Sequence, residues 1–324
     1  HHPKTAAGHG RIALLLGALD FGGITVWLSS PAPVAAQRHE LYRASDEIGQ
    51  TFTLAGYGSL GSTPGSPIRS WASNQFDAEA GALKERLGTG MAWTPATDTI
   101  LLADYDNGTA AQDALGRLLN VSGLGLGATE GLNMPGDSGG PAFIGNKVAG
   151  IASYTASLST QSIQPDIDTV SNSSFGELGF WQRVSHYQQW IDQSLRAEYQ
   201  DAPTKPEEVK KEVTEGQSGS TYAYFLLTFT GVRTDANLIL SVDYTTRDGT
   251  AIAGQDYLAV SGTLKLYPGE NQAVIPVEIL GDTQSEGNET FYLDVTNPVG
   301  GSFGEGVVTL TAVRTILNDD GVLA

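Results

Sequence analysis

Leu238, Leu240, Val242 and Tyr244 occupy alternate positions; so do Ile275, Val277 and Ile279, and again Phe291, Leu293 and Val295. Successive side chains of a strand point to opposite faces, so runs of this period bury their apolar set as strands with one covered face. Three such runs, each bounded by turn residues, predict a β-sandwich. Pro276 inside the second run predicts an edge strand, because proline donates no ladder hydrogen bond. Asp248-Gly249 predicts a tight hairpin turn.

The sandwich accounts for the C-terminal part of a 324-residue chain, a length that fits about two domains on the usual ~150-residue prior. The sharpest compositional break is AEYQDAPTKPEEVKKEVTEG at 197–216, where prolines and alternating charges replace apolar patterning. Its middle, 199–206, reads as a linker between a domain over 1–198 and one over 207–320. Just before it, Val184, Tyr187, Trp190, Ile191 and Leu195 follow a helical period, so a helix closes the first domain. Residues 50–180 are short apolar runs such as TFTLAGYGSLGSTPG and KVAGIASYTAS, which read as strands and turns. Glycine is 40 of 324 residues, well above the ~7% average, and the fold class predicted is all-β. No internal repeat relates the halves.

The apolar run IALLLGAL at 12–19 is too short for a membrane helix of about 20 residues and reads as a buried strand rather than a signal-peptide core. No membrane span is expected. Lys+Arg of 18 against Asp+Glu of 36 gives a net charge of -18, which repels phosphate backbones and anionic membranes; nucleic acid is excluded as a partner. The chain has no cysteine, so disulfides and thiolate metal sites are excluded, and a secreted protein of this kind reads as bacterial.

NMPGDSGGPAF at 133–143 sets one serine among glycines that are costly in chain entropy unless the backbone needs them. GDSGGP at 136–141 resembles the nucleophile loop of trypsin-like serine proteases. AGYGSLG at 55–61 is similar to that family's Gly-Trp/Tyr-Gly turn, VAGIASY at 148–154 to the strand after the nucleophile, and QRVSHYQQWI at 182–191 to its C-terminal helix. The resemblance covers 20–198 and implies a chymotrypsin-like β-barrel, with the second barrel complete and the first mostly missing. It implies Ser138 as nucleophile, backbone N–H groups of Gly136 and Ser138 as oxyanion hole, and Asp137 as a structural residue that pairs with an N-terminal amine. A serine hydroxyl needs a base and its intermediate needs preorganised donors, which is why these residue types recur. Leu132 falls near the floor of the primary specificity pocket, with Ser153, Tyr154 and Thr155 on its wall; alternatively Leu132 is core.

The triad departs from the family. Its Thr-Ala-Ala-His segment has only TAAGHG at 5–10 as a counterpart, with His9 eleven residues before Asp20. Asp20 is the nearest acid to the position where the family's aspartate begins a strand, aligned to GGITVWLSSPAP at 22–33; it serves as triad acid or is a solvated loop residue. The expectation is a fragment lacking the catalytic histidine, its parent an extracellular or cell-surface endopeptidase acting on protein or peptide substrates. The alternative is a non-catalytic, protease-like binding protein.

Residues 207–320 resemble a Calx-beta domain: VTEG at 213–216, DYTTRDGTAIAGQDY at 243–257, ILGDTQSEGNETF at 279–291 and ILNDD at 316–320 match in order and spacing. The resemblance implies acids converging at one end of a sandwich to bind Ca2+, a hard cation that takes six to eight oxygens. The residues carried over are Glu215, Asp256, Asp282, Glu286, Glu289, Asp319 and Asp320. Gly281 stands where calcium-binding members carry one of two paired acids, which implies a weaker or single-ion site. Calcium binding and an adhesive role toward cell-surface or matrix components both remain open. A second oxygen-rich stretch, DYDNG at 104–108 with Asp113, has the look of a calcium loop but lacks a bidentate Glu at EF-hand spacing; Asx turn chemistry is the preferred reading.

Overall fold

A computed structural model describes the backbone of residues 12–16 and 23–27 and all of 39–58, 70–121 and 123–321. The strands are β1 (Ile12–Leu16), β2 (Gly23–Trp27), β3 (Glu40–Leu41), β4 (Thr51–Gly56), β5 (Ser70–Gln75), β6 (Ala78–Glu79), β7 (Ile100–Asp104), β8 (Pro141–Ile144), β9 (Lys147–Ala156), β10 (Leu178–Arg183), β11 (Glu212–Thr214), β12 (Gly219–Thr228), β13 (Leu240–Asp248), β14 (Ser261–Leu266), β15 (Gln272–Gly281), β16 (Glu289–Val299) and β17 (Thr309–Leu317). Three α-helices join them: α1 (Ala80–Leu87), α2 (Ala114–Leu119) and α3 (Val184–Ala197). The chain is all-β with few helices, and it divides into two compact units at Asp192, inside α3.

In the first unit an eight-stranded sheet runs β5-β4-β8-β9-β10-β7-β6, with β3 added beside β9. The sheet begins at β5 and ends at β6, strands separated only by Phe76 and Asp77, so its two ends meet and the sheet rolls up. Rolling gives it an inside and an outside, and both are covered. Every residue of β7 is therefore buried. Leu101 and Ala103 join Phe52, Phe76 and Trp181 in one core, while Ile100 and Leu102 join Leu83, Leu115, Leu118 and Phe180 in another, covered by α1 and α2. In the first core Phe52 stacks on Phe76 at 4.0 Å and meets Trp181 edge-on at 5.0 Å. Gly150 makes this possible, since a Cβ there would lie 3.0 Å from Trp181 Cβ.

Neither α1 nor α2 is expected from the sequence reading of strands and turns over 50–180. Gly81 and Gly116 lower helix propensity and interrupt the apolar period, and burial of Ala80, Leu83, Leu115 and Leu118 supplies the compensating stability. Asp113 caps α2, its Oδ1 accepting from Gly116 N at 2.6 Å. The closing helix forms as its period predicts, with Val184 and Ile191 buried. The expected remnant of a first barrel falls on residues of which only the paired strands β1 and β2 are described.

The second unit is a sandwich of a five-stranded sheet, β11-β17-β16-β13-β14, and a two-stranded sheet, β12-β15. The three alternating runs supply its core: Leu240 and Val242, Ile275, Val277 and Ile279, and Phe291, Leu293 and Val295 are all buried together. Arg314 ties the sheets, its Nη2 donating to Tyr224 O at 2.6 Å with the guanidinium 4.1 Å from the Phe225 ring centre. Pro276 sits in β15, which pairs along its length with β12. The hairpin expected at Asp248-Gly249 is corrected: β13 pairs with β14 in a register that sets Thr245 opposite Ser261, leaving a long connection between them. Asp248 accepts from Ala253 N at 3.0 Å and from the Tyr257 hydroxyl, so its side chain organises that connection instead of a tight turn.

Candidate functional site

Two sites are built by these units. The first is the turn between Met134 and Gly140. Gly136 adopts φ 100 and Gly139 φ 84, values that favour glycine. Asp137 N donates to Met134 O and Gly140 N to Asp137 O, both turn hydrogen bonds, and Gly139 N anchors the turn to Ala152 O of β9 at 2.8 Å. The Asp137 carboxylate points back into the fold, where Oδ1 accepts from Gly58 N at 2.7 Å and Oδ2 from Met134 N at 2.9 Å. Asp137 thus meets two backbone amides among the described residues. Among the described residues no hydrogen bond takes up the amide N–H of Gly136 or of Ser138. Those two donors are the expected oxyanion pair.

Ser138 Oγ donates to the carbonyl oxygen of Ser153 at 3.3 Å. The described histidines are engaged elsewhere: His39 Nδ1 is 3.3 Å from Asn146 O, with its ring against Phe143, and His186 packs on Tyr187. His9 and Asp20 lie outside the described residues. Leu132 is 5% exposed and packs in the core with Phe52, Leu101 and Trp181, the alternative left open for it. Ser153 is buried, and Tyr154 stacks on Phe180 at 4.2 Å, burial raising its phenol pKa. Thr155 alone of the three lines an open cleft, of about 520 Å³, with Gln164, Asp166 and Thr169.

The second site is at one end of the sandwich, where the termini of β15, β16 and β17 meet the turn after β11. Asp256, Glu286 and Glu289 each offer an oxygen within 4.8 Å of the others. Glu215 lies in the field of Asp282, Glu286, Asp320 and Asp319; desolvation first, then these neighbours, pushes its pKa up to about 7. Burial and then Asp256 push Glu289 to about 7 as well. The seven carried-over acids are thus linked through one another into a single group. Glu215 Oε1 and Asp320 Oδ2 are buried without a hydrogen-bond partner, the condition in which a carboxylate is costly unless a cation completes it. Asp319, by contrast, also holds the turn, its Oδ1 accepting from Gly216 N at 3.0 Å.

The sequence reading missed the frame of this site. Asn318 Nδ2 donates to Glu286 O at 2.6 Å, and Asn318 Oδ1 accepts from Asp320 N at 2.8 Å, so one amide side chain fixes two acid-bearing segments. It flanks the acids in ILNDD, and that adjacency was the available signal. Gly281 closes on the turn after β11: a Cβ there would lie 2.3 Å from Gly216 O. The position at which the resemblance implies a paired acid is sterically reserved for glycine here.

Residues 218–320 match the family model described as the Calx-beta domain. These residues are a Calx-beta domain. Over this Calx-beta part the chain is 37% identical across 91 residues to the sodium/calcium exchanger Calx of Drosophila melanogaster, covering 27% of this chain and 9% of that protein. It is also 37% identical across 108 residues to human sodium/calcium exchanger 2, covering 29% and 12%. The chain thus spans about a tenth of the length of these relatives. Among solved structures, the calcium binding domain CBD12 of CALX1.1 is similar at 30% identity, covering 34% of this chain and 42% of that one with a TM-score of 0.29. Mouse neuropsin, a serine protease, is similar at 15% identity, covering 53% and 60% with a TM-score of 0.34. No described helix is long and apolar enough to cross a membrane.

Proposed function

We propose that the protein is a serine endopeptidase whose C-terminal Calx-beta domain binds calcium. The observation that carries the first half is the turn at Ser138: Asp137 is fixed by Gly58 N and Met134 N while the amides of Gly136 and Ser138 have no partner among the described residues. A preorganised donor pair beside a serine hydroxyl is what acyl transfer requires. In this reading Ser138 Oγ bonds to the scissile carbonyl carbon, and the oxyanion lies against the two amides. The serine proton passes through a general base to the leaving amine, and water then releases the acyl group. The protein and peptide substrates of this reading belong outside the cell or at its surface.

The calcium half rests on the unpartnered oxygens of Glu215 and Asp320 beside Asp256, Glu286 and Glu289. Hard carboxylate donors without histidine or cysteine suit calcium. Bound there, the ion would supply the positive charge that these side chains lack.

The bond from Ser138 Oγ to Ser153 O favours one competing reading, a protease-like binding protein with an idle serine. A fluorophosphonate probe separates the two. Labelling of the full chain that is lost in Ser138→Ala supports the endopeptidase; a wild-type chain that never labels overturns it.

A further inference from the structure

The first unit contains a second group of acids, away from the Calx-beta domain. Asp104 ends β7, Asp106 follows it, Asp113 caps α2, Glu130 lies further along and Asp77 links β5 to β6. Asp104, Asp106 and Glu130 are buried, and Asp104, Asp106 and Asp113 each offer an oxygen within 4.8 Å of the others. Asp77 and Glu130 join Asp106 in lining a cavity of about 100 Å³.

Most of these carboxylates are already oriented by backbone donors. Asp104 Oδ2 accepts from Leu115 N at 2.7 Å, Asp113 Oδ1 from Gly116 N, and Glu130 from Asp106 N at 2.8 Å and from Leu126 N. Asp106 is the exception. It is 5% exposed, and its Oδ1 is buried with no hydrogen-bond partner. Arg117, whose charge reaches Asp113, has its Nη1 committed to the carbonyls of Ala111 and Gln164. A buried oxygen aimed into a polar cavity among other carboxylates lacks its counter-charge.

We propose that Asp77, Asp104, Asp106, Asp113 and Glu130 form a calcium site that fixes the segment between β7 and the Ser138 turn. The donor set selects the ion: carboxylate oxygens only, in number and irregular spacing better matched to calcium than to magnesium's strict octahedron. Without a cation, burial and mutual repulsion oppose the charged forms of Asp77, Asp104 and Asp106. The Asx turn expected at DYDNG does form, at Asn107, whose Oδ1 accepts from Thr109 N; it shapes the loop tip while the aspartates on either side turn inward.

The site is independent of the Calx-beta calcium reading, and the test keeps them apart. In the full chain, Glu215→Gln with Glu289→Gln silences the sandwich end; calcium bound per chain is then measured by equilibrium dialysis. Retention of about one ion, with affinity lowered at least ~10-fold by adding Asp106→Asn, is expected, since even indirect loss of ligand support costs ~10–100-fold. No retained calcium, or retention unchanged by Asp106→Asn, overturns the proposal. Hydrogen exchange in the wild-type chain needs no variant to fold. The amides of Leu115, Gly116 and Leu126 should exchange at least ~10-fold more slowly in calcium than in EGTA, and equal rates overturn the proposal.

Discussion

Asp137 Oδ1 accepts the amide hydrogen of Gly58 at 2.7 Å, so the serine turn is anchored to the end of β4. The contact leaves no room for a side chain on that strand end: a Cβ at Gly56 would lie 1.9 Å from Asp137 Oδ1. Gly56→Ala must displace the carboxylate and break its hydrogen bonds, each worth about 1–3 kcal/mol when a charged acceptor is involved. Fluorophosphonate labelling at Ser138 should fall at least ~10-fold in this variant, about 1.4 kcal/mol in the barrier. Labelling at the wild-type rate would show that the anchor does not position the turn.

Arg183 and Glu47 form a buried pair, Nη2 to Oε2 at 2.6 Å and Nε to Oε2 at 2.9 Å, with Ser185 Oγ donating to the other carboxylate oxygen at 2.5 Å. Removing one partner strands a buried charge, so Arg183→Met should destabilise the first unit by about 3–5 kcal/mol. The exposed pair Lys147–Glu40 at 3.0 Å is the control; Lys147→Ala should cost less than about 1 kcal/mol. Urea denaturation of the full chain compares them, and equal losses would contradict the assignment.

Calcium binding at the sandwich end should depend on pH. Glu215 and Glu289 titrate at about 7 without the ion, so calcium must displace protons, and affinity should rise from pH 6 to pH 8. The linkage in chelator has the opposite sign. Carboxyls with raised folded pKa values bind protons more tightly when folded, so their effect on stability worsens as pH climbs from the unfolded value, about 4.3, to about 7, and levels off above it. Calorimetry in EGTA and in millimolar calcium should therefore show a calcium-induced rise in Tm that is large at pH 8 and small at pH 5. A rise independent of pH would exclude these two glutamates as ligands.

Gly281→Asp, which restores the acid at the paired position, should not strengthen calcium binding. Its Cβ would press on Gly216 O, and the turn carrying Glu215 would have to move. A lower Tm in EGTA and no added ion in equilibrium dialysis are expected; a gain of one bound ion would mean the turn yields freely.

What the sequence made legible follows its periodicities. Leu240, Ile275 and Phe291 announce a sandwich because each strand has one covered face, and Val184 to Leu195 announce α3 because one helical face is buried. The Calx-beta acids were legible as a family pattern that converges on a single end. Where local rules compete with tertiary contacts, the reading failed. Asp248-Gly249 has hairpin chemistry, yet a Cβ at Gly249 would lie 2.4 Å from Thr290 O, so that glycine serves strand approach. The acids at 77 and 130 lie too far from DYDNG in sequence for spacing alone to join them; only the rolled sheet brings them together.

That rolled sheet also decides where the chain is vulnerable to misassembly. Its end strands β5 and β6 are joined through Phe76 and Asp77, and among the described residues each pairs on one side only, with β4 and with β7. In the sandwich, the two-stranded sheet leaves an outer side on β12, while that of β15 is engaged at Glu278 O by Leu258 N and at Leu280 N by Asp256 O. Open edges template intermolecular strand addition, and Pro276 removes one donor from β15. The proline is thus a local defence against strand addition at β15.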